Sequence, residues 1–168
     1  MFEITLVPYI LTELTSFLIK ESRLQELIIV RGLPGSGKTK VAKGIVKSLG
    51  GKAVHFESVM YFRTTDDNRY RSNHMKSSHD WCLRSTENAL KEGRTVVVAN
   101  TFTRGWEIEP FLSLGKELGL KTTVIKAIET NPNKFGIPDG TIRHMSNRWE
   151  DVPNEITLTP EVLKIILR

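Results

Sequence analysis

One stretch constrains the fold of this chain more than any other. Leu27-Ile28-Ile29-Val30 is a short, continuous apolar run, and Gly32-Leu33-Pro34-Gly35-Ser36-Gly37-Lys38-Thr39 follows it directly. Lys38 to Leu49 then place Val41, Ala42, Ile45 and Val46 on one helical face before Gly50-Gly51 ends the segment. An unbroken apolar strand suits a parallel sheet buried on both faces. A glycine loop between such a strand and a helix is the G-x-x-x-x-G-K-[ST] phosphate loop, or Walker A motif, in its required context. Glycines clear side chains from the approach to tetrahedral phosphates and permit unusual backbone dihedrals, so that N–H groups wrap the anion. The following helix aims its positive end at the same place. Gly32, Pro34, Gly35, Ser36, Gly37, Lys38, Thr39 and Lys40 are therefore the candidate nucleotide-binding residues. Lys38 is expected to reach the β- and γ-phosphates of ATP, and the Thr39 hydroxyl to ligate Mg²⁺. The competing reading, a chance glycine-rich turn, has to explain both the full motif and its context.

The rest of the chain continues the alternation. Ala53–Phe56, Thr95–Ala99 and Thr122–Ile128 read as strands; His79–Glu92, Trp106–Leu118 and Thr141–Glu150 read as helices. Residues 62–76 and 130–140 read as loops, and Thr159 as the cap of a last helix that begins with Pro160 and Glu161. Strands alternating with helices predict a three-layer α/β/α P-loop kinase-like fold with a mostly parallel sheet. The expected division is an N-terminal helical extension over residues 1–24 and one kinase-like domain over 25–168, C-terminal helix included. In the extension, Ile10, Leu11, Leu14, Phe17 and Leu18 recur at helical spacing. That helix either packs on the body or binds a protein partner.

Composition narrows the class. The chain has 168 residues, 39% hydrophobic and 26% charged, which fits one globular domain. Lys and Arg number 24 against 19 Asp and Glu, a net charge of +5 that suits anionic ligands such as nucleotides or nucleic acid. One cysteine, Cys82, excludes an internal disulfide framework. No apolar run reaches the roughly 20 residues that span a bilayer, and the first residues lack a signal-peptide pattern. No membrane association and a cytoplasmic location are the expectations. A switch GTPase would need a base-reading Asn-Lys-x-Asp, which is absent, and a large AAA machine would need a second helical domain.

Further segments carry a resemblance. Arg31 to Thr39, Met60-Tyr61-Phe62, His79-Asp80-Trp81-Cys82, Val96 to Thr103, Trp106-Glu107-Ile108-Glu109-Pro110, Gly136-Ile137-Pro138 and Arg148-Trp149-Glu150 keep their order across residues 26–150. Together they resemble small phage and bacterial P-loop (AAA-type) ATP-binding proteins related to polynucleotide kinase and, more distantly, to zeta toxins. The resemblance implies transfer of the γ-phosphoryl of ATP to a hydroxyl acceptor, foremost a polynucleotide 5′-hydroxyl, with Mg²⁺, basic residues on the transferring group and an acid that takes the proton.

The chain departs from that pattern at the acid. Relatives show Glu-Ala-Asp-Met-Tyr-Phe, whereas this chain reads Glu57-Ser58-Val59-Met60-Tyr61-Phe62. Val59 cannot accept a proton. Either a neighbour substitutes, with Glu57 the first candidate and Asp66 and Asp67 behind it, or ATP binding persists in a catalytically weakened regulatory or nucleic-acid-binding protein, or Val59 is an introduced change. Phe135 likewise stands where relatives tend to carry His, which bears on acceptor recognition.

Lys38, Glu57, Arg143 and Arg148 are the candidate catalytic residues, the two arginines and Lys134 as lid cations on the transferring phosphate. The bland alternative for those cations is a solvated face. Asn100 and Thr101 either orient groups near the γ-phosphate or cap the next helix. Arg63, Arg69, Arg71 and Lys76, interleaved with Tyr61, Phe62 and Tyr70, either hold a single strand or line an exposed loop. His79 and Cys82 lack metal-site spacing, and Trp106, Phe111 and Trp149 read as packing residues.

Overall fold

The apolar run before the glycine loop becomes the centre of the sheet. The computed structural model describes residues 25–64, 72–128, 136–159, 162 and 165. In it β1 (Glu26–Arg31) is buried at all six positions. In chain order there follow α1 (Lys38–Ser48), β2 (Ala53–Phe56), α2 (Met75–Lys91), β3 (Thr95–Asn100), α3 (Gly105–Glu117), β4 (Lys121–Ala127), α4 (Asp139–Asn147) and β5 (Ile156–Leu158). The strands lie in the order β2-β3-β1-β4-β5, and every pairing is parallel. β1 sits between β3, with Ile28 opposite Val97, and β4, with Ile28 opposite Thr123.

The pleat of β1 divides the core in two. Leu27 and Ile29 pack with Val96, Val98 and Val124 against Cys82, Ala89 and Leu90 of α2 and Ile108, Phe111 and Leu114 of α3. Ile28 and Val30 point the other way, to Val41 and Ala42 of α1 and to Leu158. Helices thus cover both faces, giving the three-layer α/β fold. The chain leaves β1 past β3 to form β2, returns to β3, then crosses β1 to reach β4, so the carboxyl end of β1 is a topological switch point where ligands enter such sheets. α4 buries no residue and stands off this core.

Four local readings change. β5 was not anticipated, because three residues with only Leu158 buried carry too little pattern to be read as a strand. α2 begins at Met75 rather than His79, since polar Lys76 and Ser77 tolerate a helix that later apolar residues anchor. Phe62 and Arg63, the first residues of the expected 62–76 loop, instead end a 3₁₀ segment, Ser58–Arg63, in which Phe62 is buried. Trp106 is 70% exposed rather than packed. At about 100° per residue it lies roughly 200° round α3 from buried Ile108. Residues 1–24, 65–71 and 129–135 lie outside the described residues, and with them the proposed N-terminal helix, Asp66, Asp67, Arg69, Arg71, Lys134 and Phe135; so does most of the expected C-terminal helix.

Candidate nucleotide and phosphoryl-transfer site

The loop between β1 and α1 has the backbone its glycines allow. Gly35 and Gly37 both hold φ near +83°, the left-handed region that side chains disfavour. Gly32 has no room for a side chain: a Cβ there would lie 2.2 Å from Ser36 Oγ and 2.7 Å from the Ala127 carbonyl oxygen. The Ser36 amide donates to the Leu33 carbonyl at 3.0 Å and the Gly32 amide to Thr101 at 3.3 Å, which fix the two ends of the turn. The first hydrogen bond of α1 runs from Val41 N–H to Gly37 at 3.0 Å, so the helix opens toward the loop, with no acidic residue in its first turn to answer its positive end. Ser36 Oγ is buried and has no partner among the described residues. Consecutive amides at a helix start, freed of side chains by glycine, make an anion-binding concavity.

Lys38 and Thr39 start α1, and the Lys38 side chain turns back to the loop. Lys38 Nζ donates to the Leu33 carbonyl at 3.0 Å. Burial lowers its pKa from 10.5 to about 8, while the charge of Glu57 pulls the other way. Glu57 follows β2 and gathers the neighbouring groups. Its Oε1 lies 2.9 Å from His55 Nε2, and the Thr39 hydroxyl donates to the same carboxylate. Burial alone would raise the Glu57 pKa; the hydrogen bonds from His55 and Thr39, with the charges of His55 and Lys38, outweigh it and hold the carboxyl below its usual range. Of the other loop candidates, Pro34 is half-buried and Lys40 is exposed.

The turn after β2 is held from below. The Ser58 amide donates to Asn100 Oδ1 at 2.9 Å, Asn100 Nδ2 approaches Cys82 Sγ at 3.6 Å, and Ser58 Oγ lies 3.3 Å from His79 Nδ1. Asn100 therefore anchors the Ser58 turn, and does not cap the helix that follows β3. That helix is capped by Glu107, whose Oε2 accepts from the Arg104 amide at 2.8 Å. Burial pushes the Cys82 thiol up to about 11, against hydrogen bonds from Asn100 and Ser58, so Cys82 stays a neutral packing group. Val59, on this turn, is 55% exposed, and Ser58–Arg63 contains no carboxylate.

The two late arginines differ. Arg143 is exposed on α4. Arg148, which caps the C-terminus of α4, is half-buried, and its Nε is buried with no partner among the described residues. A residue whose type and spacing announce no role, Arg31, proves central to this end of the sheet. Arg31 is fully buried and bound to Phe102, Glu150 and Glu155. A charged residue ending an otherwise buried strand must find partners, and that was the available signal.

Residues 27–133 match the model of the AAA domain family. The chain belongs to that family. Over 92 residues it is 25% identical to NEDD4-binding protein 2 of Homo sapiens, a match covering 54% of this chain and 5% of that protein. The chain thus spans only a small part of the curated relative it matches. Among solved structures it is similar to the Mycobacterium tuberculosis APS kinase CysC in complex with AMPPNP and APS, at 14% identity and a TM-score of 0.62, covering 85% of this chain and 94% of that one. It is also similar to a chain of the Pnkp1/Rnl/Hen1 RNA repair complex, at 13% identity and a TM-score of 0.53, covering 86% of this chain and 43% of that one. At these identities the likeness is one of fold, and the fold of this AAA domain is that of P-loop kinases. Among the described residues no helix is long and apolar enough to cross a membrane.

Proposed function

We propose that the protein binds Mg²⁺·ATP in the Gly32–Thr39 loop and transfers the γ-phosphoryl to a hydroxyl acceptor, with a polynucleotide 5′-hydroxyl as the favoured acceptor. The observation that carries this reading is the gathering of Lys38, Thr39 and Glu57 around a glycine cradle in which Ser36 Oγ is buried without a partner among the described residues. The residues fit the cation as well. Among the described residues no group of three His, Cys, Asp or Glu could hold a metal by itself, and Mg²⁺ in such sites is held by few protein groups, with phosphates and water completing its shell. The Thr39 hydroxyl would hold it, with Glu57 behind Thr39 orienting that hydroxyl. When bound, Mg²⁺ neutralises phosphate charge.

Phosphoryl transfer asks mainly for positioning and charge stabilisation. The loop amides and α1 hold the β- and γ-phosphates, Lys38 adds a cation, and Arg148 has a buried donor, Nε, without a partner among the described residues. Glu57 is occupied by Thr39 and His55 and held acidic, which suits fixing Thr39 better than taking a proton. The likeness to the chain of an RNA repair complex, together with the net charge of +5, supports the polynucleotide acceptor.

A second reading, ATP binding with weakened transfer in a regulatory or nucleic-acid-binding protein, is favoured by one observation: exposed Val59 on a turn without a carboxylate. Losing a general base costs about 10²–10⁴-fold in rate. Radiolabel transfer from ATP to a 5′-hydroxyl oligonucleotide separates the readings. Wild-type transfer that rises in Val59→Asp supports the kinase; no transfer by either protein, with ATP bound by both, leaves the binding protein. Lys38→Ala should abolish ATP binding by calorimetry, and unchanged affinity removes both readings.

A further inference from the structure

Arg31 closes β1 one residue before the phosphate loop, at zero exposure. A guanidinium keeps its charge at any working pH, so at this depth every donor needs a partner. Its Nε donates to the Phe102 carbonyl at 2.9 Å, its Nη1 to Glu155 Oε2 at 3.0 Å and its Nη2 to the Glu150 carbonyl at 2.8 Å. Its Cζ lies 4.1 Å from the centre of the Trp149 ring. Three of these four partners come from residues 149–155, a stretch between α4 and β5 with no helix or strand of its own. Side-chain and backbone clasps thus fix its course. The Glu150 amide donates to Thr103 at 2.8 Å, and the Gly105 amide to Glu150 Oε2 at 2.9 Å. Lys126 Nζ adds Asp151 at 2.7 Å from the outer side.

Arg148 is the residue immediately before this clasped stretch. Among the described residues, two side-chain polar atoms are buried without a partner: Ser36 Oγ inside the phosphate loop and Arg148 Nε. Leaving a charged donor buried and unmet is costly, and the cost is relieved by an acceptor the protein does not itself supply. Both atoms can donate, and a phosphate is an anion class whose chemistry suits each of them.

We infer that Arg31 is a positioning residue, which clamps Trp149 to Glu155 onto the root of the phosphate loop and so holds Arg148 for the terminal phosphate of a bound nucleoside triphosphate. The inference rests on the triphosphate reading above. It couples the loop to the late arginine through one buried side chain, with no bond made or broken.

Calorimetry of the full chain with Mg²⁺·ATP and Mg²⁺·ADP tests it. ADP lacks the phosphate that Arg148 meets, so the ratio of the two affinities isolates that contact. Arg148→Met is expected to lower the ATP preference by roughly tenfold, the scale of one charge-assisted hydrogen bond. Arg31→Lys, which keeps the charge but loses the fork, should lower it by a similar factor and leave ADP affinity within about twofold. The double variant should lose little more than either alone, because the two act on one contact. Trp149→Leu, at a half-buried site, carries the same expectation and decides the matter if Arg31→Lys does not fold. An unchanged ATP preference in the Arg31 or Trp149 variant, or an equal loss for ATP and ADP, overturns the inference while leaving the triphosphate reading intact. If wild-type protein binds neither nucleotide, both fall.

Discussion

Replacing Lys38 by methionine should stabilise the nucleotide-free protein while removing its affinity for ATP. The sign follows from the site. Lys38 has a pKa of about 8 in the folded chain against 10.5 for a free lysine, chiefly because it is buried. At pH 7 the side chain is charged in both states, and the folded state holds that charge where the surroundings disfavour it. At about 1.36 kcal/mol for each tenfold change in the proton equilibrium, that difference sets an upper bound of roughly 3.5 kcal/mol on the cost. Methionine keeps most of the apolar stem and carries no charge. Against the gain stands the lost hydrogen bond to Leu33; the attraction of Glu57 is already contained in the Lys38 pKa. The net is about 1–2 kcal/mol, which for a domain of this size raises Tm by roughly 2–8 °C. A pH series sharpens the test. Between about pH 8 and 10.5 the folded wild type gives up the Lys38 proton before the unfolded chain does, so its stability gains on rising pH, and the advantage of the variant shrinks. Denaturant unfolding at pH 7 and pH 10 without nucleotide measures this, and calorimetry with Mg²⁺·ATP measures the affinity. A variant that is less stable than wild type at pH 7, or whose advantage is the same at both pH values, would refute the reasoning.

Three further outcomes are expected. Glu57→Gln removes the charge that raises the Lys38 pKa, so ATP affinity should begin to fall at a lower pH than in wild type; it should also abolish the stability that the depressed Glu57 pKa supplies above the ordinary carboxylate range and that wild type loses on acidification, both read from pH titrations of binding and unfolding. Gly115→Ala places a Cβ 2.1 Å from Thr122 Oγ1 and 3.5 Å from Leu27 Cδ2; overpacking of this kind costs about 1–3 kcal/mol, and Thr122→Ala in the same chain should recover much of it in thermal melts. Trp106→Ala should change unfolding free energy by no more than about 0.5 kcal/mol, because the ring is 70% exposed; a loss of several kcal/mol in denaturant unfolding would return Trp106 to the packing role its residue type suggested.

Much of the fold was legible because its signals are short. β1, the loop and α1 each declare themselves within about a dozen residues, as do β3 and β4, whose apolar runs are fully or mostly buried. β5 escaped because one buried residue in three is no pattern. Within the site, Lys38 and Thr39 were legible from the loop itself. Glu57 was chosen for its distance from a missing acid, yet what places it is the pairing of β2 beside β3 and the reach of its carboxylate to Thr39. Asn100 was ambiguous because its partner, the Ser58 amide, is 42 residues away.

The strand, glycine loop and helix that can cradle phosphate are written in consecutive residues, since apolar run, φ-permissive glycines and helix start are all local properties. So is the absence of a carboxylate at position 59. Which side chains meet at that cradle follows from long-range packing. The β1 strand ends in Arg31, whose ion pair with Glu155 spans 124 residues. The orphaned Ser36 and Arg148 atoms, the exposed Trp106 and the pairing of Thr39 with Glu57 belong to the same class of facts. Such contacts depend on the order in which parallel strands assemble and on what the resulting layers leave buried, and no local pattern encodes either.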